Sequence, residues 1–528
     1  MDLAAARESP LAWCVMVSRG GLAALSGVLL ALSFPRFDLA PLAFVALIPL
    51  LVGLDGVPAL QGTYLGIIAG AVFSLMSIPW VVRTMTAYGG LPLPVGVLLL
   101  VALSLYLALY VGVFAFGVTR LSPEGGLGYL VGAATLWVGL EYLRTFLLTG
   151  FPWNLLGYTQ YRSLSIIQVA SITGVYGVSF LLVLVNAAVA LACLHVRRSA
   201  RQALMPVLGV GVLLIGTVVF GMGRRVSAEI PLREIRVSVV QGNIEQALKW
   251  TPAALDLTLD RYARLSAQAA QAGAELIVWP ETAVPLFLRH DPARLAQVRA
   301  LAESLGRPLL VGAPDRTVGG PVRLQNSAML LGPDGRLLAK YDKMHLVPFG
   351  EYVPLKSILF FVDKLATGIG DFVPGETQTL FRLPGGTFAA SICFEVIFPN
   401  EVRAAVAGGA EFLVNITNDA WFGRSAAAAQ HLRMAAFRAL ETRRYLARAA
   451  NTGISAAVDP YGRILASTPL FEEAVLVQGV IPRRDLTPYV RFGDWFAAAS
   501  SLGAAGWITS AWGAGRRAAR RGQTAWRS

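Results

Sequence analysis

The hydrophobic residues of the chain form long uninterrupted runs towards both ends and only short runs in the middle. A run of about 20 apolar residues is long enough for a helix to cross the roughly 30 Å hydrocarbon core of a bilayer. The predicted helices lie near residues 18–34, 38–54, 57–82, 91–118, 126–148, 164–195, 203–222 and 493–513. The pattern therefore predicts a polytopic α-helical membrane unit of about eight transmembrane helices.

The middle of the chain has a different pattern, in which β-rich runs of strand length alternate with helical segments. The predicted strands lie at 235–240, 275–279, 308–312 and 383–392, and a predicted helix lies at 252–272. Such alternation is typical of an α/β domain with helices packed over sheets. A turn at Gly385-Gly386 divides the last of these segments into a hairpin.

Composition and charge support a division of the chain into three parts. Hydrophobic residues make up 55% of the chain and charged residues only 15%, against roughly 25% charged residues in an average soluble protein. The predicted parts are 1–223 with about seven transmembrane helices, 224–492 with the α/β domain, and 493–528 with a last transmembrane helix and a basic tail. The net charge of +13 is spread over all three parts, so no nucleic-acid-binding module is predicted.

Arginine residues in the short loops predict the orientation of the helices, because such loops stay on the cytoplasmic side. These residues are Arg7, Arg19, Arg120, the cluster 197–201 and the cluster 516–521. All fall on one side if seven helices precede the domain and one follows it. Both termini are then cytoplasmic and residues 224–492 face outward. Arg224 and Arg225 depart from this scheme, but they adjoin a large translocated domain, where the rule is weaker.

Three residues of the middle part are candidates for nucleophilic catalysis. Cys393 ends an apolar strand, Glu281 follows a strand that Pro280 terminates, and Lys343 is one of only five lysines in the chain. A cysteine nucleophile needs a group that takes its proton and a group that stabilises the oxyanion. Glu281 suits the first task and Lys343 the second. Taken singly, each also has an ordinary explanation as a core cysteine, a helix cap or a surface ion pair.

The candidates lie within four motifs that occur in a fixed order. The motifs are Trp279-Pro280-Glu281, the run from Asp342 to Glu351, Cys393-Phe394-Glu395 and Asn418-Asp419-Ala420-Trp421-Phe422-Gly423. This set resembles the nitrilase, or carbon–nitrogen hydrolase, superfamily. The helices before and after it narrow the resemblance to the bacterial apolipoprotein N-acyltransferase family, over essentially the whole chain.

The resemblance implies a nitrilase-like α-β-β-α sandwich with a Glu–Lys–Cys triad. The implied catalytic residues are Glu281 as proton acceptor, Lys343 as oxyanion stabiliser and Cys393 as nucleophile. The implied supporting residues are Glu351, Phe394 and Glu395, and Phe394 stands where tyrosine is common in the family. Segments around Trp250 and Trp421 would hold acyl chains. No metal ion and no cofactor is expected.

The activity implied by the resemblance is acyl transfer in two half-reactions through a cysteine thioester. A membrane phospholipid is the expected acyl donor, and the N-terminal amine of a diacylglyceryl apolipoprotein is the expected acceptor. The expected location is the bacterial inner membrane, with the catalytic domain on its periplasmic side and the lipid bilayer as a further partner.

Two other functions use the same sequence features. A membrane-anchored amidase or nitrilase would hydrolyse a small C–N substrate with the same triad, although one anchoring helix would then be enough. A transporter or scaffold would carry an inactive nitrilase-like domain. Glu141 and Arg144, one helical turn apart within a predicted transmembrane helix, suggest a structural ion pair more than a proton relay.

Overall fold

A computed structural model describes residues 10–225, 233–317, 322–352, 372–507 and 509. The contacts divide the chain into two units. One contains residues 1–79, 97–224 and 494–528, and the other contains residues 80–96 and 225–493. The short segment 80–96 therefore belongs with the middle part of the chain, although it lies between two predicted transmembrane helices in the sequence. The hydrophobic pattern of the chain gives no sign of this assignment.

The described residues of the first unit form helices and the turns between them. The α-helices as far as residue 225, including α4 of the other unit, are α1 Pro10–Leu32, α2 Ile48–Gly53, α3 Ala59–Ser77, α4 Trp80–Arg83, α5 Leu93–Val118, α6 Leu127–Phe146, α7 Leu164–Ile167, α8 Ala170–Thr173, α9 Val175–His195 and α10 Ala200–Arg225. Near the C-terminus a further helix covers 495–507. Four helices of the described residues, α3, α5, α9 and α10, are long and apolar enough to cross a membrane.

Three of the eight predicted transmembrane helices are wrong as continuous helices. The segment 57–82 is interrupted after α3, which ends at Ser77, and its last residues belong to α4 of the other unit. The segment 38–54 contains a 3-10 turn at Ala40–Phe44 followed by the six-residue α2, which is only about 9 Å long at 1.5 Å per residue. The segment 164–195 is divided because Gly174 adopts a positive φ of 66° between α8 and α9, a conformation that interrupts a right-handed helix. The C-terminal end of the segment 493–513 and the arginine cluster 516–521 lie outside the described residues, apart from residue 509.

Glu141 and Arg144 of α6 have separate hydrogen-bond partners. Glu141 Oε1 accepts hydrogen bonds from Trp137 Nε1 at 3.0 Å and from the backbone N–H of Leu156 at 2.7 Å. Arg144 Nη2 donates to the carbonyl oxygen of Trp153 at 3.3 Å. Both side chains thus tie α6 to the following loop, and the charge of each still acts on the other.

The second unit is built on two six-stranded sheets. Its strands are β1 Ile235–Gln241, β2 Leu276–Val278, β3 Leu309–Arg316, β4 Leu324–Leu331, β5 Leu337–Asp342, β6 Leu380–Leu383, β7 Gly386–Ile392, β8 Phe412–Thr417, β9 Leu446–Ala450, β10 Ala456–Val458, β11 Ile464–Ser467 and β12 Ala474–Val480. The strand orders are β12-β1-β2-β3-β4-β5 and β11-β10-β9-β8-β7-β6. Within them β1, β2 and β3 are parallel, as are β7, β8 and β9, and the other neighbours are antiparallel.

The two sheets pack against each other and carry helices. Strand β1 contacts β9, and β4 contacts β7. The helices of this unit beyond α4 are α11 Gln246–Lys249, α12 Pro252–Gln271, α13 Pro292–Leu305, α14 Pro399–Ala407, α15 Ala427–Thr442 and α16 Pro488–Phe492. Helix α12 packs on β1, β2 and β12, while α15 packs on β9 and β10. The nitrilase-like domain with two packed sheets is thereby confirmed.

Candidate active site

Glu281 is held at the end of β2 by tightly packed backbone. The indole of Trp279 stacks on Tyr262 at a centroid distance of 4.8 Å and donates a 2.8 Å hydrogen bond to Ser266. A side chain at Gly312 would place its Cβ 2.2 Å from the carbonyl oxygen of Pro280, so only glycine allows β3 to approach this turn. These contacts fix the backbone from which the Glu281 carboxylate extends.

The Glu281 carboxylate joins the two sheets through its hydrogen bonds. Its Oε1 accepts from Asn326 Nδ2 at 2.8 Å, and Asn326 belongs to β4 of the same sheet. Its Oε2 accepts from the backbone N–H of Asn418 at 2.8 Å, directly after β8 of the other sheet. Glu281 is only 6% exposed, so these bonds fix the orientation of a buried acceptor group.

Lys343 follows β5 and points its ammonium group at two carboxylates. Its Nζ lies 2.9 Å from an oxygen of Glu351 and 3.6 Å from Oε1 of Glu281. Burial alone would lower the pKa of Lys343, but the charges of Glu351 and Glu281 outweigh it, and the net result is a raised pKa. The side chain therefore carries a fixed positive charge inside the domain.

Cys393 follows β7 and has a backbone conformation uncommon for a residue with a side chain. Its φ of 53° lies in the left-handed region, which costs a non-glycine residue about 1–3 kcal/mol. Burial and the nearby charge of Glu281 raise the pKa of the thiol, and the positive charge of Lys343 only partly opposes them. The raised pKa favours the neutral thiol at physiological pH.

Glu351 and Glu395 hold the loops that carry these groups. Glu351 Oε1 accepts from Asn326 and from Lys343, both at 2.9 Å, and its Oε2 accepts from the N–H of Val347. Glu395 accepts hydrogen bonds from both sides of the site. Its donors are the Tyr341 hydroxyl and the N–H groups of Met344, His345 and Ile392. Burial raises the pKa of Glu395 to about 7.

The backbone N–H of Phe394 is suited to receive an oxyanion. Phe394 lies in the first turn of the 3-10 helix Cys393–Ile397, where N–H groups have no partner within the helix. Its ring packs on Phe398 and His345 at centroid distances of 5.1 and 5.8 Å. The side chain is thus fixed by apolar contacts that require no hydroxyl group.

The two tryptophans predicted to hold acyl chains are both partly exposed, Trp250 to 39% and Trp421 to 38%. Trp421 contacts the segment 80–96. Its ring meets Tyr88 edge to face at 5.3 Å, and its carbonyl oxygen accepts from the Thr84 hydroxyl at 3.0 Å. Trp250 directly follows Lys249, which lies behind the candidate base.

Several residues near the site were not singled out from the sequence. Lys249 is buried and donates to the Thr282 hydroxyl at 2.7 Å and to the carbonyl oxygen of Glu281 at 3.3 Å. Burial lowers the pKa of Lys249 to about 7. Asn326 gave no local signal in the sequence, since an asparagine in a strand most often faces solvent.

A buried polar cluster beside Cys393 was also missed. It consists of His431, Asp419 and Arg448, all with fully buried side chains. Asp419 belongs to a motif quoted above, which was the only signal for this cluster. In residues 10–225, 233–317, 322–352 and 372–507, no group of three or more His, Cys, Asp or Glu side chains is placed to hold a metal ion.

Comparison with known families and proteins gives matches along both units. The profile of the apolipoprotein N-acyltransferase N-terminal domain matches residues 26–188, and the carbon-nitrogen hydrolase profile matches residues 236–488. The apolipoprotein N-acyltransferase of Geobacter metallireducens is 44% identical over 488 residues, which cover 92% of this chain and 93% of that protein. That of Azotobacter vinelandii is 36% identical over 497 residues, covering 92% and 94%. An amidase structure from Nesterenkonia sp. is similar over 48% of this chain and 93% of its own, with 25% identity and a TM-score of 0.38.

Proposed function

The chain belongs to the apolipoprotein N-acyltransferase family, and on that premise we propose that it moves an acyl chain from a membrane phospholipid to the N-terminal amine of a diacylglyceryl-cysteine lipoprotein. This reaction would be the last step of lipoprotein maturation. The observation that carries the proposal is the buried cluster in which the charges of Glu281 and Lys343 both act on the Cys393 thiol. Relatives that match over both units favour this function over an amidase, which would need only the sheet domain.

In the first half-reaction Glu281 is the proton acceptor. Its carboxylate takes the thiol proton of Cys393, and the thiolate attacks the ester carbonyl carbon of the phospholipid. The oxyanion that forms is stabilised by the Lys343 ammonium group and the Phe394 N–H. Collapse of this intermediate breaks the ester C–O bond, and the leaving alkoxide receives the proton from Glu281. The products are a lysophospholipid and a thioester on Cys393.

In the second half-reaction the lipoprotein amine attacks the thioester carbon. Glu281 takes a proton from the attacking nitrogen, and the same two donors stabilise the second oxyanion. Breaking the C–S bond releases the amide product, and the Cys393 thiolate recovers its proton from Glu281. A thioester suits this step because an amine readily displaces a thiolate. Side chains and backbone groups of the chain perform every step, so the proposal includes no metal ion and no cofactor.

The supporting carboxylates have positioning roles in this proposal. Glu351 holds the Lys343 ammonium group at 2.9 Å, and Asn326 bridges Glu351 and Glu281 through one amide nitrogen. Glu395 bonds to the loop after β5 and to the end of β7 at once. The base, the cation and the nucleophile thereby keep fixed relative positions.

The proposed setting is the bacterial inner membrane. Residues 224–492 would form the periplasmic catalytic domain, with seven helices in 1–223, an eighth in 493–528 and both termini in the cytoplasm. The four long apolar helices and the arginine-rich loops support this arrangement. Both substrates carry acyl chains that remain in the bilayer, so an enzyme tethered to the membrane meets them at high local concentration. The partly exposed Trp250 and Trp421 would line the paths of these chains.

Intact-mass analysis of the protein in nanodiscs tests the proposal. The nanodiscs contain phospholipid with one defined acyl chain, and the expected result is an adduct of that acyl mass on Cys393 with release of one lysophospholipid. A diacylglyceryl-cysteine peptide should then remove the adduct and gain the acyl group. Cys393→Ala should form no adduct, whereas Cys193→Ala should behave as the wild type. Hydrolysis of small amides without lysophospholipid release would instead support the amidase.

A further inference from the structure

His431 lies directly behind the nucleophile and has no role in the proposed steps. It belongs to α15, and its side chain is fully buried. Its Nε2 lies 3.2 Å from the carbonyl oxygen of Cys393. Since a carbonyl oxygen can only accept a hydrogen bond, Nε2 must carry the hydrogen in this contact. The imidazole thus donates to the backbone of the nucleophile.

Arg448 holds the other side of the imidazole. With the hydrogen on Nε2, Nδ1 is an acceptor and receives a hydrogen bond from Nη2 of Arg448 at 3.0 Å. Arg448 Nη2 also contacts Oδ2 of Asp419 at 2.7 Å, and the Thr417 hydroxyl donates to Oδ1 at 2.8 Å. The ring therefore has little freedom to rotate or to move away from Cys393.

The contact with the Cys393 carbonyl determines the direction of the next N–H group. The carbonyl of Cys393 and the N–H of Phe394 belong to the same peptide unit, which is planar and trans, so they point in opposite directions. Holding the carbonyl oxygen towards α15 aims the Phe394 N–H away from α15. A rotation of this peptide would move both groups together, and the positive φ of Cys393 leaves its orientation dependent on outside support.

We propose that His431 is a positioning residue that aims the Phe394 N–H at the developing oxyanion by holding the Cys393 carbonyl. This inference rests on the proposed nucleophile and oxyanion donor. It assigns no proton transfer to His431. Glu395 supports the same turn from the other side, through its bond to the Ile392 N–H at 2.6 Å.

Two substitutions of His431 test its contact with the Cys393 carbonyl separately from its contacts on the Nδ1 side. His431→Asn keeps a polar group near the position of Nδ1, within reach of Asp419 and Arg448, but is too short to reach the Cys393 carbonyl. His431→Gln extends an amide donor to the position of Nε2. The matched control is His290→Asn, because His290 Nε2 also contacts a backbone carbonyl oxygen, that of Arg316, at 3.1 Å.

Two reactions of Cys393 form the readout. Acyl-enzyme formation from phospholipid passes through an oxyanion, whereas alkylation by iodoacetamide is a displacement at carbon that forms none. We expect His431→Asn to slow acylation about 10- to 100-fold and to change alkylation less than about threefold. His431→Gln should recover most of the acylation rate, and His290→Asn should leave both rates unchanged. Partial unfolding would expose the buried Cys393 thiol and speed its alkylation, so a loss of acylation at unchanged alkylation does not come from unfolding.

The possible outcomes are distinct. Equal acylation rates in the Asn and Gln variants, or a parallel loss of alkylation, would overturn the role of His431. Absence of the acyl-enzyme in the wild type would refute the proposed function itself, before any variant is compared. Selective loss of acylation in the Asn variant with recovery in the Gln variant supports the inference.

Discussion

Replacing Glu281 with Gln should remove the proposed base while retaining most of the fold. The amide oxygen of the new side chain can accept from the Asn418 N–H, whose direction is fixed by the backbone. The amide nitrogen then faces Asn326, which must rotate its own amide to present Oδ1, an atom without a partner among the described residues. This rotation sacrifices the 2.9 Å bond from Asn326 to Glu351. One hydrogen bond to a charged group corresponds to about 2 kcal/mol of unfolding free energy.

The loss in rate should be larger than this loss in stability. A positioned general base contributes about 10²- to 10⁴-fold, or about 3–5 kcal/mol of activation free energy. Burial keeps the pKa of the Cys393 thiol raised even without the charge of Glu281. Solvent must then remove the proton, so acylation by the variant should rise about tenfold per pH unit between pH 7 and 9.

Single-turnover acylation from labelled phospholipid, followed by mass spectrometry, measures this effect. Glu275→Gln is the matched control, since Glu275 forms a surface pair with Arg233 at 3.0 Å just before β2. The control should acylate at the wild-type rate. A Glu281→Gln variant that acylates within threefold of the wild type at pH 7, or whose slower rate does not depend on pH, would refute the assignment of the base.

Three further predictions concern residues around the cluster. Burial lowers the pKa of Lys249 to about 7, so between pH 7 and 10.5 the unfolded chain binds more protons than the folded chain. The free energy of unfolding should therefore rise by about 2 kcal/mol from pH 7 to 9. Thermal unfolding of Lys249→Met in detergent should show no such rise, and a rise equal to that of the wild type would contradict the assignment to Lys249. Glu395→Gln places an amide N–H₂ group against at least one backbone N–H donor, so it should slow acylation tenfold or more. The control Glu401→Gln should slow acylation less. Similar acylation rates for the two variants would count against a positioning role for Glu395. Tyr88→Ala removes the ring contact with Trp421, worth about 1 kcal/mol, and should raise the KM for phospholipid without changing iodoacetamide alkylation; an unchanged KM would argue against a lipid path beside Trp421.

The strands that carry Glu281 and Cys393 could be predicted from local signals, whereas β5, which precedes Lys343, was not predicted. The structure has β1, β2, β3 and the β6–β7 hairpin where apolar runs end at Pro280 or at the Gly385-Gly386 turn. These signals are local because a strand of alternating or fully buried residues is visible within a few positions. The catalytic roles of Glu281, Lys343 and Cys393 stay predictions, although the structure brings their charges into mutual range.

The contacts that orient the candidate residues could not be predicted in this way. Asn326 is 45 positions from Glu281 along the chain, and His431 is 38 positions from Cys393. Which face of β4 or α15 points inward depends on how the sheets and helices pack, and hydrophobic periodicity does not specify that packing for polar residues. The break at Gly174 was missed because the apolar run continues across it, so composition alone predicted one long helix.

The origin of the active-site residues in two different sheets has a consequence for biosynthesis. Glu281 and Lys343 extend from strands of one sheet, Cys393 extends from the other, and Glu281 is bonded to the N–H of Asn418. The first sheet is also incomplete until β12, its edge strand at Ala474–Val480, pairs with β1. A ribosome must therefore translate nearly the whole domain before this arrangement forms. Under the proposed function, a nascent chain at the membrane would be unable to cleave the lipids around it.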